Sequence, residues 1–197
     1  MMLRISLEER KGYIAEAALG IFVKKGYKTA SLQEIAEKVE ITKAGIYHYF
    51  KTKEEILYYI LVSNNAAKIS QFKAFDPTQE ESLTDPLEIL RGIIRRYAHI
   101  SLATNDVVLL AMRERHQLTG DNLERYLELE REIFNLLKTK IKAVPQLKAK
   151  YDINTIVFLI ISMSAWFGYW LKNEGRLSQE EVIEQSIEII CSGVLQK

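Results

Sequence analysis

A short segment near the first quarter of the chain concentrates side chains that donate hydrogen bonds to anions. Residues 46–50 read IYHYF and include Tyr47, His48 and Tyr49, with lysines on both sides. Phenol, imidazole and ammonium groups donate to phosphate oxygens, and phosphate contacts supply much of the affinity of DNA-binding proteins. The segment therefore predicts a nucleic-acid contact. Packing is the alternative, because tyrosines on helices often bury their rings and keep their hydroxyls in water.

The sequence offers no comparable arrangement for catalysis or metal binding. Cys191 is the only cysteine, which excludes an internal disulfide and a thiolate zinc site. His99 and His116 lack a second ligand at metal spacing. We also find no nucleophile with a base and no phosphate-binding glycine loop. We therefore expect no enzyme activity, metal or cofactor, and we expect Cys191 to be a small buried hydrophobic residue.

Composition indicates an all-α protein. The 197 residues are 48% hydrophobic and 27% charged, which suits one or two packed domains. Three prolines and nine glycines are too few for a loop-rich β protein. The start MMLRISLEER lacks the apolar stretch of a signal peptide, so we expect a cytoplasmic protein. The net charge of +1 conceals a basic N-terminal part, because residues 1–53 carry 10 Lys and Arg against 6 Asp and Glu.

Nine helices are predicted, mainly from their capping residues. A Ser, Thr or Asp followed three residues later by Glu satisfies two backbone donors at a helix start. This pattern occurs six times, with caps at Ser6, Ser31, Thr52, Asp85, Asp121 and Ser178. The three other caps are Thr42, Asn105 and Asp152. The later helices are predicted near residues 85–103, 105–119, 121–144, 152–174 and 178–195.

The first helices have the layout of a helix-turn-helix. One apolar stripe runs from Ile14 to Phe22, and a second, shorter stripe runs from Leu32 to Val39. A further short helix, residues 42–49, follows after about three residues. Its residues Ile46 and Phe50 lie four apart and should point inward together. The residues left outward are Lys43, Ala44, Tyr47, His48 and Tyr49.

A polar stretch separates two predicted domains. It runs from Lys73 to Pro86, and the helix that begins at Thr52 is expected to end near Phe75, at the start of this stretch. The predicted domains are 6–68, which carries the helix-turn-helix, and 69–197, a larger helical bundle. Residues 153–171 are uncharged and long enough to span a membrane. Their Asn, Thr and Ser residues favour a buried bundle helix instead, and we expect no membrane association.

Residues 19–57 closely resemble the N-terminal DNA-binding domain of the TetR family of bacterial and archaeal transcriptional regulators. The matching features are a phenylalanine helix ending in Lys-Lys-Gly-Tyr, then Thr29, EIA, IYHYF, and a lysine three residues after Phe50. The resemblance covers roughly residues 6–68. It implies a regulator, most often a repressor, that binds double-stranded operator DNA and responds to a small effector.

The resemblance also implies which residues contact DNA. The implied contacts are Thr29, Ser31, Thr42, Lys43, Ala44, Gly45, Tyr47, His48, Tyr49 and Lys53. Residues 43–45 would face bases, and Tyr47, His48, Tyr49 and Lys53 would hold phosphates. Many members have glycine where Glu40 stands, and a left-handed conformation there would cost a non-glycine residue about 1 kcal/mol. We therefore expect this turn to differ locally.

A homodimer formed by the last two helices is a further implication of the resemblance. The final helix carries apolar residues along one side, and the helix before it has small residues four apart that permit close helix contact. The predicted interface residues are Ser164, Gly168, Val182, Ile183, Ser186, Ile187, Ile190 and Val194.

The predicted effector pocket is apolar and aromatic, as ligand pockets usually are. Its residues are Phe72, Ile94, Tyr97, Met112, Arg113, Phe134, Met163, Trp166, Phe167 and Trp170. Ordinary core packing is the alternative for each of them.

The segments 112–141 and 166–190 resemble the effector domains of the TetR subgroup that controls fatty-acid or sterol breakdown. Members of that subgroup sense acyl-CoA thioesters, whose phosphates would need cations. The candidate cations are Arg91, Arg95, Arg96, Arg113 and Arg115; the alternative is a solvated face paired with glutamates. Two other functions stay open: a multidrug-sensing repressor of an efflux system that binds lipophilic cations through Glu114, and an effector-free architectural DNA binder.

Overall fold

A computed structural model describes residues 6–80, 83–144, 151–171 and 175–194. Over these residues the chain forms ten α-helices and one 3-10 turn, and no strand. The all-α prediction is therefore confirmed. The helices are α1 (Leu7–Lys25), α2 (Leu32–Lys38), α3 (Lys43–Tyr47), α4 (Lys53–Ala74), α5 (Pro77–Glu80), α6 (Pro86–Ala103), α7 (Asn105–Glu114), α8 (Gly120–Lys142), α9 (Ile153–Trp170) and α10 (Gln179–Val194).

Hydrogen bonds confirm most of the predicted helix starts. The side chains that cap as predicted are Ser6, Ser31, Thr42, Thr52, Asp85, Asp152 and Ser178. Two predicted caps are wrong. The helix α8 begins at Gly120, so Asp121 lies in its first turn. The helix α7 begins at Asn105, whose side-chain amide donates instead to the carbonyl of Gly168 at 3.2 Å.

The tenth helix lies in the predicted loop between α4 and α6. This helix, α5, has four residues. The backbone amide of Thr78, its second residue, donates to the Asp76 carboxylate at 2.9 Å. So short a helix shows no apolar period that a sequence pattern could reveal. The helix α7 also ends earlier than predicted, at Glu114, where the 3-10 turn Arg115–Gln117 follows.

The helices belong to two compact units. Unit 1 comprises residues 1–64 and 106–128, and unit 2 comprises residues 65–105 and 129–197. These units differ from the predicted domains mainly because residues 106–128 pack with the N-terminal helices. The division into functional domains at residue 68 stays a prediction.

Unit 1 has an apolar core. Its fully buried side chains include Ile14, Phe22, Ile35, Ile46, Ile56, Leu57, Leu110 and Leu118. Burial of such side chains contributes on the order of 1.5–3 kcal/mol each. The core therefore holds α2 and α3 in a fixed arrangement, and this arrangement determines which side chains of α3 face outward.

A left-handed residue joins α2 to α3. Glu40 has φ of 56°, the Ile41 amide donates to the Ala36 carbonyl at 3.0 Å, and the Glu40 amide donates to the Glu37 carbonyl at 3.2 Å. These two bonds form the Schellman motif that usually ends in glycine. The expectation that a non-glycine residue would change this turn is therefore wrong, because the two bonds and the packing of Ile41 on the core hold Glu40 in the left-handed region.

In unit 2, α6 packs against α9 and α10. The buried residues at these contacts include Ile93, Ile94, Ile160, Phe167, Ile183 and Ile187. A two-bond salt bridge between Arg95 and Glu184 also joins α6 to α10, with Nη2 2.8 Å from Oε2.

The helix α9 is less buried than predicted. Among the described residues, α9 is the one helix that is long and apolar enough to cross a membrane, judged by length and composition alone. Within the chain, 28% of it is buried. The expected burial as a bundle helix is therefore wrong for a single chain.

Candidate functional site

The helix α3 presents polar side chains to solvent. Lys43, Tyr47 and His48 are exposed, with 48% of Tyr47 accessible, whereas Ile46 and Phe50 are buried. The predicted inward and outward faces of α3 are thus confirmed for these residues. Contact of the outward face with DNA stays a prediction.

Hydroxyl groups near α2 and α3 cap the helices of unit 1. The Thr42 hydroxyl accepts from a backbone amide of α3 at 3.0 Å, so its own proton can still be donated to a phosphate oxygen. By contrast, the Ser31 hydroxyl donates to Glu34 at 3.3 Å, and the Thr29 hydroxyl donates to the Lys25 carbonyl at 2.5 Å. Of the three hydroxyls predicted to contact DNA, only that of Thr42 therefore keeps its proton available for a phosphate oxygen.

Gly45 is half-buried beside the turn that precedes α3. A Cβ atom at this position would lie 3.4 Å from the side chain of Ile41, an ordinary packing distance. Its role as a base-facing residue stays a prediction, and Lys43 and Ala44 are the exposed residues at the start of α3.

The ammonium of Lys53 is occupied inside unit 1. It donates to the carbonyls of Tyr27, Lys28 and Ala30 at 2.6, 3.2 and 2.8 Å, and it lies 4.5 Å from the centroid of the Tyr27 ring. Burial lowers the pKa of Lys53, and the charge of Glu114 opposes that shift. Since an ammonium has three donor hydrogens, these carbonyls can accept all of them, and the phosphate contact of Lys53 stays a prediction. The side chain ties the start of α4 to the segment before α2.

Two residues predicted for the effector pocket belong to unit 1. Met112 is exposed, and the guanidinium of Arg113 donates to the Phe22 carbonyl at 3.4 Å. Glu114, the candidate partner for a lipophilic cation, lies close enough to raise the pKa of Tyr27, although burial is the larger cause. The predicted pocket is therefore not a cluster within one unit.

The other pocket residues divide between the interior and the surface of unit 2. Phe72 and Tyr97 are buried with ring centroids 5.7 Å apart in an edge-to-face contact, and burial raises the pKa of Tyr97 to about 12. Ile94 and Phe167 are also buried. Phe134 and Met163 are half-buried, whereas Trp166 and Trp170 are exposed, and the pocket role of these four residues stays a prediction.

An exposed apolar face runs along α9. Phe158 and Trp170 are 65% and 69% accessible, and the exposed positions of the face fall on one side of the helix. The other members are Leu159, Trp166 and Tyr169. The Tyr169 ring makes edge-to-face contacts with both tryptophans, at 5.4 and 5.2 Å. These five residues of α9 are here called the α9 face; Ile189 of α10 is exposed as well.

The predicted dimer residues differ in burial. Ser164, Ile183 and Ile187 are buried within the chain. A Cβ atom at Gly168 would lie 1.4 Å from Oδ1 of Asn105, so the glycine accommodates a contact within unit 2. The interface role of these four residues stays a prediction. Val182, Ser186 and Ile190 are half-buried and stay predictions, and the side chain of Val194 lies outside the described residues.

The arginines proposed for phosphate binding are divided between the two units. Arg91 donates to Glu88 at 2.9 Å, and Arg95 is held by Glu184, whose pKa it lowers. Arg96 lies over the Phe75 ring at 5.6 Å. Arg113 and Arg115 belong to unit 1. The alternative was that these arginines form ion pairs with glutamates. Arg91 pairs with Glu88 as that alternative predicts, and Arg95 pairs with Glu184 of α10.

Two buried polar residues on α4 were missed by the sequence analysis. Asn65 and Lys68 are 7% and 8% accessible. The Asn65 amide nitrogen lacks a hydrogen-bond partner, and burial lowers the pKa of Lys68 to about 8. Their positions seven and four residues before Phe72 were an available signal, because this spacing places them on the face of α4 that the apolar pattern assigns to the core.

The predicted role of Cys191 is confirmed. It is buried, and burial raises the pKa of its thiol to about 11. His99 approaches Glu180 with Nε2 at 3.0 Å from the carboxylate. Across the described ranges no group of His, Cys, Asp and Glu could hold a metal ion.

Known proteins match nearly the whole chain. Residues 14–60 match the family model described as bacterial regulatory proteins, tetR family, and residues 83–194 match the model of a tetracyclin repressor-like C-terminal domain. The HTH-type transcriptional regulator HbdR of Aromatoleum sp. (strain CIB) is 31% identical over 115 residues, which are 58% of this chain and 48% of that protein. The Transposon Tn10 TetC protein of Escherichia coli is 30% identical over 163 residues, 78% of this chain and 74% of that protein.

A solved structure extends the likeness to the fold of the whole chain. The crystal structure of AibR in complex with isovaleryl coenzyme A and operator DNA has a TM-score of 0.74 at 24% identity. The alignment covers 92% of this chain and 97% of that chain. At this level of identity the comparison establishes a shared fold.

Proposed function

Since the chain belongs to the TetR family of transcriptional regulators, we propose that it is a repressor that binds a pseudo-palindromic operator as a homodimer and is released by a hydrophobic effector. Regulators of this family bind DNA and are not enzymes. The observation that carries the proposal is the exposed polar face of α3 on the apolar core of unit 1. We assign the protein to the cytoplasm, where its operator would be.

Operator recognition rests on α3. In a helix-turn-helix the second helix enters the major groove and its first residues meet base edges. Lys43 and Ala44 are exposed there, and Tyr47, His48 and the Thr42 hydroxyl can donate to phosphates. Two copies related by two-fold symmetry would place their recognition helices about 34 Å apart, one turn of DNA.

Selection from random duplex DNA tests this role of α3. The selected sequences should be pseudo-palindromes, and Lys43→Ala should lower their affinity at least tenfold, relax base preference at one position in each half-site and reduce the salt slope by about one per subunit. The matched control is Lys73→Ala, which removes the same charge from an exposed position of unit 2. Wild-type affinity and specificity in Lys43→Ala would refute the assignment of α3.

The α9 face supports the proposed homodimer. Soluble monomers rarely expose contiguous apolar patches of more than a few hundred Å², and this face contains five large apolar residues of one helix. A second copy of the same face would cover it by two-fold symmetry. The proposed interface therefore uses the outer side of α9 with Ile189, rather than the buried residues Ile183 and Ile187.

Sedimentation velocity distinguishes this interface from a surface without a partner. Phe158→Glu places a charge on the α9 face at a position that makes little contact within the chain, so it should shift the protein from dimer to monomer at micromolar concentration. Leu7→Glu is the control, because Leu7 is equally exposed on α1. A dimer that persists in Phe158→Glu, or a monomeric wild type, would refute the interface.

The proposed effector is a fatty acyl-CoA. The interior of unit 2 supplies apolar and aromatic residues for an acyl chain, among them Phe72, Tyr97 and Phe167. AibR, which shares the fold, binds isovaleryl coenzyme A. The lipophilic-cation alternative is less well supported, because its candidate carboxylate, Glu114, is a unit 1 residue beside Tyr27 and Lys53.

Fluorescence anisotropy with labelled operator tests the effector. Acyl-CoAs of four to sixteen carbons should release the DNA at micromolar concentration, whereas lipophilic cations of equal length should not. Release by the cations and not by any acyl-CoA would make the protein a multidrug sensor. Release by neither would favour an architectural DNA binder.

A further inference from the structure

The buried polar side chains are concentrated in one unit. Throughout the described part of the chain, the buried polar or charged residues are Asn65, Lys68, Ser101 and Ser164. All four belong to unit 2, and the core of unit 1 has none. Buried polar groups destabilise a fold unless they are hydrogen-bonded. Their presence in only one of two cores requires an explanation.

Two of the four residues already have partners. The Ser164 hydroxyl donates to the Ile160 carbonyl at 2.8 Å. Ser101 shares a hydrogen bond with the buried phenol of Tyr97. These two hydroxyls therefore need no further group.

Asn65 and Lys68 are different. The amide nitrogen of Asn65 is buried without a hydrogen-bond partner. Lys68 is 8% accessible, and burial lowers the pKa of its ammonium with no neighbouring charge that opposes the shift. A charged ammonium has only donor hydrogens, and the NH2 group of Asn65 is also a donor. Both groups therefore require an acceptor.

The two donors lie on one side of α4 among apolar residues. Asn65, Lys68, Ile69 and Phe72 follow the i, i+3, i+4, i+7 spacing of a single helix face, and all are buried. The Phe72 ring contacts Tyr97 of α6 edge-on. The two unpartnered donors thus adjoin the aromatic interior of unit 2.

We propose that Asn65 and Lys68 bind an anionic oxygen group of the effector, a carboxylate or a phosphate, while the apolar body of the effector packs against the aromatic interior of unit 2. An anion would satisfy both donors at once and supply the counter-charge that Lys68 lacks. The site therefore selects hydrophobic acids and rejects lipophilic cations, which the unpaired ammonium repels. This inference rests on the proposed function only in taking unit 2 as the effector-binding unit.

Calorimetry on the full-length protein tests the site directly. The probes are decanoate, decanoyl-CoA, coenzyme A, decanol and decyltrimethylammonium, with butyrate and palmitate to vary the chain length. We expect an anionic probe to bind at least tenfold more tightly than decanol. Decanoate binding would identify a carboxylate, and binding that needs the coenzyme A portion would identify a phosphate.

Two variants and a control attribute the binding to these residues. Lys68→Met should lower the affinity for the anionic probe at least tenfold. Asn65→Asp should lower it by a similar factor, because the new carboxylate would pair with Lys68 in place of the ligand. Lys73→Met removes an exposed lysine of the same helix and should bind as the wild type does. Circular dichroism and sedimentation check that each variant is folded.

Several results would overturn the site. These are anionic probes that bind no better than decanol at any chain length, tighter binding of the cation, or full affinity in Lys68→Met. Operator release is measured separately by anisotropy. Anion binding through Lys68 without DNA release would leave the site standing and reject effector control, whereas absence of operator binding would reject the proposed function alone.

Discussion

Replacing Lys68 with methionine should stabilise the protein at neutral pH. Methionine has a similar length and flexibility but needs no hydrogen-bond partner. Burial lowers the pKa of Lys68 from 10.5 to about 8, and the side chain is 8% accessible. At 1.36 kcal/mol for each pKa unit, this difference of 2.5 corresponds to about 3 kcal/mol by which the charged lysine destabilises the folded state. Removing the charge should recover a large part of that free energy.

The gain should depend on pH in a defined direction. Below pH 8 both the folded and the unfolded chain carry the ammonium, so the folded state bears the full penalty. Between pH 8 and 10.5 the folded chain loses this proton while the unfolded chain keeps it, so the stability of the wild type rises with pH. The advantage of Lys68→Met should therefore fall from about 3 kcal/mol at pH 7 to about 1 kcal/mol at pH 9.5.

Urea denaturation at a fixed protein concentration provides the measurement. The free energies of unfolding of the wild type and Lys68→Met are compared at pH 7 and 9.5, so that groups common to both proteins cancel. Lys73→Met serves as control, because its exposed charge should change stability by less than about 0.5 kcal/mol at either pH. A Lys68→Met protein that is less stable than the wild type at pH 7, or a difference that does not change with pH, would refute the reasoning.

Three further substitutions test other parts of the fold. Glu40→Gly should raise the free energy of unfolding by about 1 kcal/mol because it relieves the left-handed strain, whereas Glu37→Gly, within α2, should lower it by about as much. Lys53→Met should lower the melting temperature through the loss of three carbonyl contacts, roughly 2 kcal/mol in all, and leave the salt slope of DNA binding unchanged. Gly168→Ala should destabilise unit 2 by about 1 kcal/mol through displacement of Asn105, and the double variant with Asn105→Ala should be less destabilised than the sum of the single effects.

Each of these predictions has a result that contradicts it. A destabilised Glu40→Gly protein would mean that the carboxylate makes a contact more valuable than the relief of strain. Full stability of Lys53→Met together with a salt slope lower by one would restore Lys53 as a phosphate contact. Additive effects of Gly168→Ala and Asn105→Ala would show that the two residues do not compete for one space.

Local structure could be predicted from the sequence because its causes are local. A cap such as Ser31 with Glu34 depends on residues three apart, and the structure forms it as predicted. The inward face of α3 follows from the four-residue spacing of Ile46 and Phe50. The error at Asn105 arises where a distant group competes, since its side chain donates to Gly168 rather than capping its own helix.

Roles that depend on distant partners could not be predicted in the same way. Lys53 matches a family motif, yet its ammonium is held by carbonyls 23 to 26 positions earlier in the chain. Gly168 was assigned to a dimer contact because small residues permit close packing, but the group it admits is Asn105 of the same chain. Composition identifies a small residue and says nothing of its neighbour.

The sequence by itself determined the all-α class, most helix starts, the helix-turn-helix and the outward residues of α3, because capping, periodicity and turn length act within a few residues. Only the tertiary structure decided which apolar side chains are buried within the chain and which remain exposed. It buries Ile183 and Ile187 of α10, leaves the α9 face exposed, and places Lys68 in an interior without a counter-charge. These outcomes depend on how helices far apart in the chain pack together, and a pattern of three or four residues does not contain that information.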